Sequence, residues 1–76
     1  MRIISVISIA DNNTQDIESF GIFEEQLSDE VVEKAEAEFV KRAKEIGMNE
    51  WDAEYYTEEG FYEKGVYAVN LVWSEI

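Results

Sequence analysis

Apolar and polar positions along the chain fall into two different periods, and the change of period marks the elements. Ile3 to Ala10, IISVISIA, is apolar at both positions of its alternation, with only Ser5 and Ser8 polar. Such a run reads as a strand inside a sheet, covered to some extent on each face. Asp11-Asn12-Asn13-Thr14 has the composition of a turn, because these side chains bond nearby backbone groups. Asp16 or Ile17 to Glu24, DIESFGIFE, reads as the second strand of a hairpin, with Gly21 marking a bulge or a close approach. From Ser28 to Gly47 the period becomes helical: Val32, Ala35, Phe39, Ala43 and Ile46 recur at three- and four-residue steps and share one face. Ser28 is an N-cap, Asp29 and Glu30 suit the positive end of the helix dipole, and Leu27 with Val32 can form a hydrophobic staple. Gly47 is the stop. Val66 to Trp73, VYAVNLVW, returns to a strand pattern that is again apolar on both faces.

The segment between Gly47 and Val66 is less regular. Asn49 with Asp52 resembles a capping box, Trp51 and Tyr55 are one turn apart, and Gly60 can end a short helix. Helix, loop and edge strand all remain open for residues 50–59, and 60–65 reads as a turn. The expected architecture is one α+β domain over 1–76, ββα(α)β. Its three-stranded antiparallel sheet, in order 2-1-3, packs on one main helix, with the last strand against the first. The alternation and helical spacing predict a core of Ile4, Val6, Phe20, Ile22, Val32, Phe39, Ala43, Ile46, Val69 and Leu71. One helix covers one face of a sheet, so the other face is expected to expose residues such as Ile7, Ile9 or Trp73. Such a patch would serve a homodimer or a partner.

Composition narrows the function more than the fold. The 76 residues contain no cysteine, no histidine and no proline. That removes disulfides, thiolate metal sites, the commonest general base and any Pro-rich linker. Ten aromatic residues and 46% hydrophobic content suffice for a packed core and argue against disorder. The formal net charge is −12. The helix from Asp29 to Ile46 is close to balanced, with six acids and four bases, whereas the rest of the chain has twelve acids and two bases. Direct binding to nucleic acid phosphates or to anionic membranes needs the opposite sign. The N-terminal apolar run is short, twice interrupted and nearly without a basic lead, so it reads as strand rather than signal peptide, and the chain is expected to be cytoplasmic. On the helix, Glu30 with Lys34 and Glu38 with Arg42 have i,i+4 spacing and read as a salt-laced solvent face.

Glu50 to Glu63, EWDAEYYTEEGFYE, concentrates the candidate chemistry, with six acids, five aromatic residues and no base. Aromatic side chains with a polar tip are enriched at interfaces, and rows of carboxylates meet a partner's Arg and Lys side chains. The partner-binding candidates are Glu50, Trp51, Asp52, Glu54, Tyr55, Glu58, Glu59 and Tyr62. Asp11, Asn13 and Asp16 suggest a calcium loop, but Asp16 stands where that loop needs glycine and Ile22 where it needs a closing Glu. A hairpin turn is the expectation. Paired carboxylates such as Glu18 with Glu24, or Glu54 with Glu58, are the minimum for glycoside hydrolysis, but a domain this small has little volume for a sugar cleft. No catalytic, cofactor or metal residue is assigned.

Asn49-Glu50-Trp51, Glu54-Tyr55 and Glu58-Glu59-Gly60-Phe61-Tyr62 resemble a segment of the small phage-encoded anti-CRISPR proteins that inhibit Cas9. In that family the segment leads into a helix, whereas here it leads into the strand pattern of Val66 to Trp73. The resemblance implies an acidic α/β protein of mobile-element origin that occupies the site where an effector reads duplex DNA. Residues and resemblance together give the expectation of a non-enzymatic, acidic protein-binding domain. Its partner would be a basic, nucleic-acid-binding protein. The alternative is an accessory or homo-oligomeric structural domain whose acidity serves solubility.

Overall fold

A computed structural model describes residues 2–21 and 28–75. Strand β1 (Arg2–Ala10) and strand β2 (Asn13–Phe20) form an antiparallel hairpin; helix α1 spans Asp29–Glu45 and helix α2 Ala53–Glu59; strands β3 (Phe61–Lys64) and β4 (Tyr67–Glu75) form a second hairpin. β1 and β4, the two strands apolar on both faces, lie side by side and antiparallel, as their pattern predicts. The sheet has four strands in the order β2-β1-β4-β3, which corrects the expected three in order 2-1-3. The addition is β3, whose four residues lie within the stretch read as a turn. Its pattern is weak because it is short and only Tyr62 is buried.

Both hairpins are closed by two-residue turns. Asp11 and Asn12 have positive φ (52° and 64°), the combination a type I′ turn requires and one that Asp and Asn tolerate. The tight turn also moves the start of β2 forward to Asn13, ahead of the expected Asp16 or Ile17. Gly65, at φ 62°, occupies the first central position of the β3–β4 turn, where a Cβ is disfavoured.

α1 begins as its sequence dictates: the Ser28 hydroxyl accepts a hydrogen bond from the Val31 backbone N–H at 3.2 Å. The staple with Leu27 lies outside the described residues. Ala35, Phe39 and Ala43 are fully buried against Ile4, Val6, Val69 and Leu71, with Met48 and Tyr62 completing the core. Phe20 and Ile46 pack at its margin, and Ile22 lies outside the described residues. Val32 corrects the expected core: Val31 and Val40 are the partly buried valines packed on it, which places the apolar stripe one residue N-terminal at its first turn. No helix among the described residues is long and apolar enough to cross a membrane.

Arg42 is the main polar tie in this layer. Its Nε donates to Glu38 Oε1 at 3.0 Å, Nη1 donates to Ser8 Oγ at 3.1 Å, and Nη2 pairs with Asp16 Oδ2 at 2.9 Å. Only 11% of the side chain is exposed, so Arg42 is no solvent-face residue, in contrast to the i,i+4 reading of the sequence. It joins α1 to β1 and β2. Arg42→Leu should cost about 2 kcal/mol, because the half-shielded Glu38 loses a charged donor, while the exposed Asp16 contributes little. Urea denaturation checks this; a midpoint unchanged from wild type would contradict the tie. Lys34 and Glu30 do form the expected exposed pair, at 3.4 Å.

Candidate functional site

The acidic, aromatic stretch is a helical corner. Glu50–Asp52 forms one 3-10 turn, followed by α2. Asn49 caps that turn by position only, with no side-chain hydrogen bond, so the expected capping box with Asp52 does not form. Gly60 ends α2 at φ 72°, and its carbonyl accepts from the Leu71 backbone N–H at 2.8 Å. That bond ties the end of α2 to β4. A Cβ on Gly60 would stand 2.9 Å from the Leu71 carbonyl oxygen, too close for ordinary contact. Gly60→Ala is therefore expected to destabilise by about 1–3 kcal/mol, from strain at positive φ and from that clash. A thermal melt checks it, and an unchanged midpoint would rule out the anchoring role.

The aromatic residues divide by depth. Tyr62 belongs to the core, at 9% exposure, so it supports the site from below and is not a contact ring. Tyr56 stacks edge-on against Tyr62, with centroids 4.8 Å apart, and Tyr55 stacks edge-on against Tyr56 at 5.1 Å. The three rings form a ladder from core to surface that holds α2 in place. Tyr55 is 61% exposed and Trp51 is 96% exposed, with its indole almost wholly in water. Alternation could not separate Tyr62 from its neighbours, because the strand that buries it is too short to show a period.

The space between the two helices is a shallow groove of about 550 Å³. Glu36, Ala37 and Val40 of α1 line one wall, and Ala53, Glu54, Thr57 and Glu58 of α2 line the other. Its floor is apolar and its polar groups are three carboxylates and one hydroxyl. The Thr57 hydroxyl is already committed, donating to the Ala53 carbonyl at 2.7 Å. Among the described residues, Glu36, Glu54 and Glu58 have no cation within ion-pair distance; Glu50, outside the groove, meets Lys44 Nζ at 3.6 Å. Asp52 and Glu59 are exposed on the same helical corner. Glu36 was missed by the sequence reading, because it sits on the helix whose charges nearly balance. The geometry suits an apolar side chain flanked by cations: methylene and ring carbons below, ammonium or guanidinium groups at the rim.

The residues that evoked a calcium loop are otherwise engaged. Asn13 Nδ2 donates to the Asp11 carbonyl at 3.1 Å within the turn, and Asp16 pairs with Arg42. Among the described residues, no group of three or more His, Cys, Asp or Glu is placed to hold a metal ion. The chain matches no protein-family model, and comparisons with curated proteins and with solved structures give no match.

Proposed function

We propose that this is a non-enzymatic protein-binding domain whose α1–α2 corner receives a cationic segment of a partner. The observation that carries the reading is Trp51, an almost fully exposed indole in the turn leading into an acid-rimmed, apolar-floored groove. A lone exposed apolar side chain is ordinary, but a large aromatic at 96% exposure, in the turn before a groove whose carboxylates have no ion-pair partner among the described residues, has the composition of an interface anchor. Lys and Arg side chains of the partner meet Glu36, Glu54 and Glu58, and their alkyl stems lie on Val40 and Ala53. With the chain at −12, long-range attraction steers such a partner before contact. A basic surface that ordinarily takes nucleic acid is the best fit, so binding acts by imitation of that ligand.

The test uses the immobilised domain and a host lysate. A captured basic, nucleic-acid-binding protein should elute with salt and be displaced by duplex DNA. The variant Glu54→Lys with Glu58→Lys should associate at least about tenfold more slowly with it, since rim charges act mainly on the association rate. A captured partner that binds this variant with unchanged rate and salt response would refute the reading.

A further inference from the structure

The sheet face opposite the helices carries a second surface of opposite character. Both helices pack on one side, and the shortest dimension of the molecule is 15 Å, enough for only two layers. Across the middle of the side that no described helix covers runs a row set by strand register: Ile17, Ile7, Asn70 and Phe61, one from each strand. Ile17 is 56% and Phe61 44% exposed. Trp73 is not part of this surface: it pairs with Ile4 and so belongs to the helix side, contrary to the sequence expectation, while Ile7 and Ile9 lie where expected. In a chain of net charge −12, Glu63 is the only charged residue at a described strand position on this face. The nearby hydroxyls of Ser5 and Ser19 bond each other at 2.9 Å, so that polar pair is already partnered when water leaves.

We infer that this face binds a second copy of the chain, sheet against sheet about a two-fold axis near Asn70. Size supports that occupant. Strands of nine, eight, four and nine residues, at about 3.3 Å per residue and about 4.8 Å between strands, project roughly 480 Å². Two such faces pressed together remove on the order of 1,000–1,300 Å² of accessible surface, the lower end of a specific interface. Charge supports it as well: at the described strand positions a cationic partner finds only Glu63 here, whereas a like-charged copy can approach through this nearly neutral face. The centre of the row is also self-complementary. Asn70 Oδ1 is shielded from water and has no hydrogen-bond partner among the described residues. A carboxamide both donates and accepts, so once turned outward it pairs with its symmetry mate, each supplying the other's missing donor.

The two surfaces respond to salt in opposite directions. Self-association brings two acidic chains together and tightens as salt screens them, whereas binding of a cationic segment weakens. Sedimentation velocity of the full chain across the micromolar range, at low and high salt, tests the dimer. The expected result is a shift from the 8.8 kDa chain mass toward twice that value with rising concentration, at lower concentration in high salt. Ile17→Glu, at an exposed outer-strand position, should raise the concentration for half-association at least about tenfold, because it sets carboxylates against an apolar face. Ser19→Glu, also exposed, should act in the same direction, with circular dichroism confirming that both variants fold. The double charge reversal at Glu54 and Glu58 should leave the dimer in place. A single species of chain mass throughout the range at high salt would overturn the inference. So would a dimer indifferent to both face variants.

Discussion

Phe39→Ala should cost about 3–5 kcal/mol and bring the domain close to unfolding at ambient temperature. Phe39 is fully buried at the centre of α1, between Ala35 and Ala43 on its own helix, and the core it enters includes Ile4, Val6, Val69 and Leu71. Its neighbours one turn away on the helix, Ala35 and Ala43, are too small to fill the space a truncated Phe39 would leave. A domain of this length has roughly 4–11 kcal/mol in total, so one cavity removes a large fraction of it. Each kcal/mol corresponds to about 4–8 °C in melting temperature at this size. Phe39→Leu, which keeps most of the volume, should cost markedly less. The helix stripe gives an internal control: Val31→Ala should cost more than Val32→Ala, since only Val31 packs against the core. A Phe39→Ala protein melting within a few degrees of wild type would mean that the helix is held by something other than its apolar face.

The framework was legible because each long element carries its own period. α1 shows a cap, an acidic first turn and a repeating stripe, and β1 and β4 are apolar on both faces, so their pairing in the middle of the sheet followed from pattern alone. β3 was illegible for the opposite reason. Four residues show barely two alternations, and β3 exists because Gly65 folds it back onto β4, which is tertiary pairing overriding a weak local signal. Val32 and Val31 are adjacent β-branched residues at the start of α1, and spacing alone cannot choose between them; packing chose Val31. Arg42 was misread because i,i+4 spacing to Glu38 is satisfied equally on a solvent face and on a sheet-facing flank. Only the fold brings Ser8 and Asp16 to the same guanidinium.

The helical corner was legible in composition and not in depth. Acid and aromatic density located the corner, yet Trp51, Tyr55, Tyr56 and Tyr62 look alike in sequence and span the range from open water to core. The groove needs both helices, and Glu36 enters it from a segment some twenty residues away in the chain. The sheet's open face was foreshadowed by the two-sided apolar pattern of β1. Its near-absence of charge emerged only when register sorted Asp16 and Glu18 of β2 onto the other side, opposite Ser8 and Val6.

Trp51→Ala should leave the free domain's stability within about 0.5 kcal/mol of wild type, since an indole in water contributes almost no packing. Its effect should appear on the bound state alone. A tryptophan that becomes desolvated at the centre of an interface typically costs about 2 kcal/mol or more on truncation, close to thirtyfold in affinity. Loss of a buried anchor leaves long-range attraction intact, so the change should fall on the dissociation rate, in contrast to the charge reversal at Glu54 and Glu58. Tyr55→Ala is a graded comparison: that ring is part of the Tyr55–Tyr56–Tyr62 ladder, so it should lose stability modestly as well as affinity. In a Trp73→Phe background, Trp51 fluorescence reports directly on its surroundings; Trp73 is itself 54% exposed and would otherwise confuse the signal. Acrylamide should quench Trp51 freely in the isolated domain and poorly once the captured partner is bound. Unchanged quenching in a complex that forms with full affinity would place the contact elsewhere and remove Trp51 from the site.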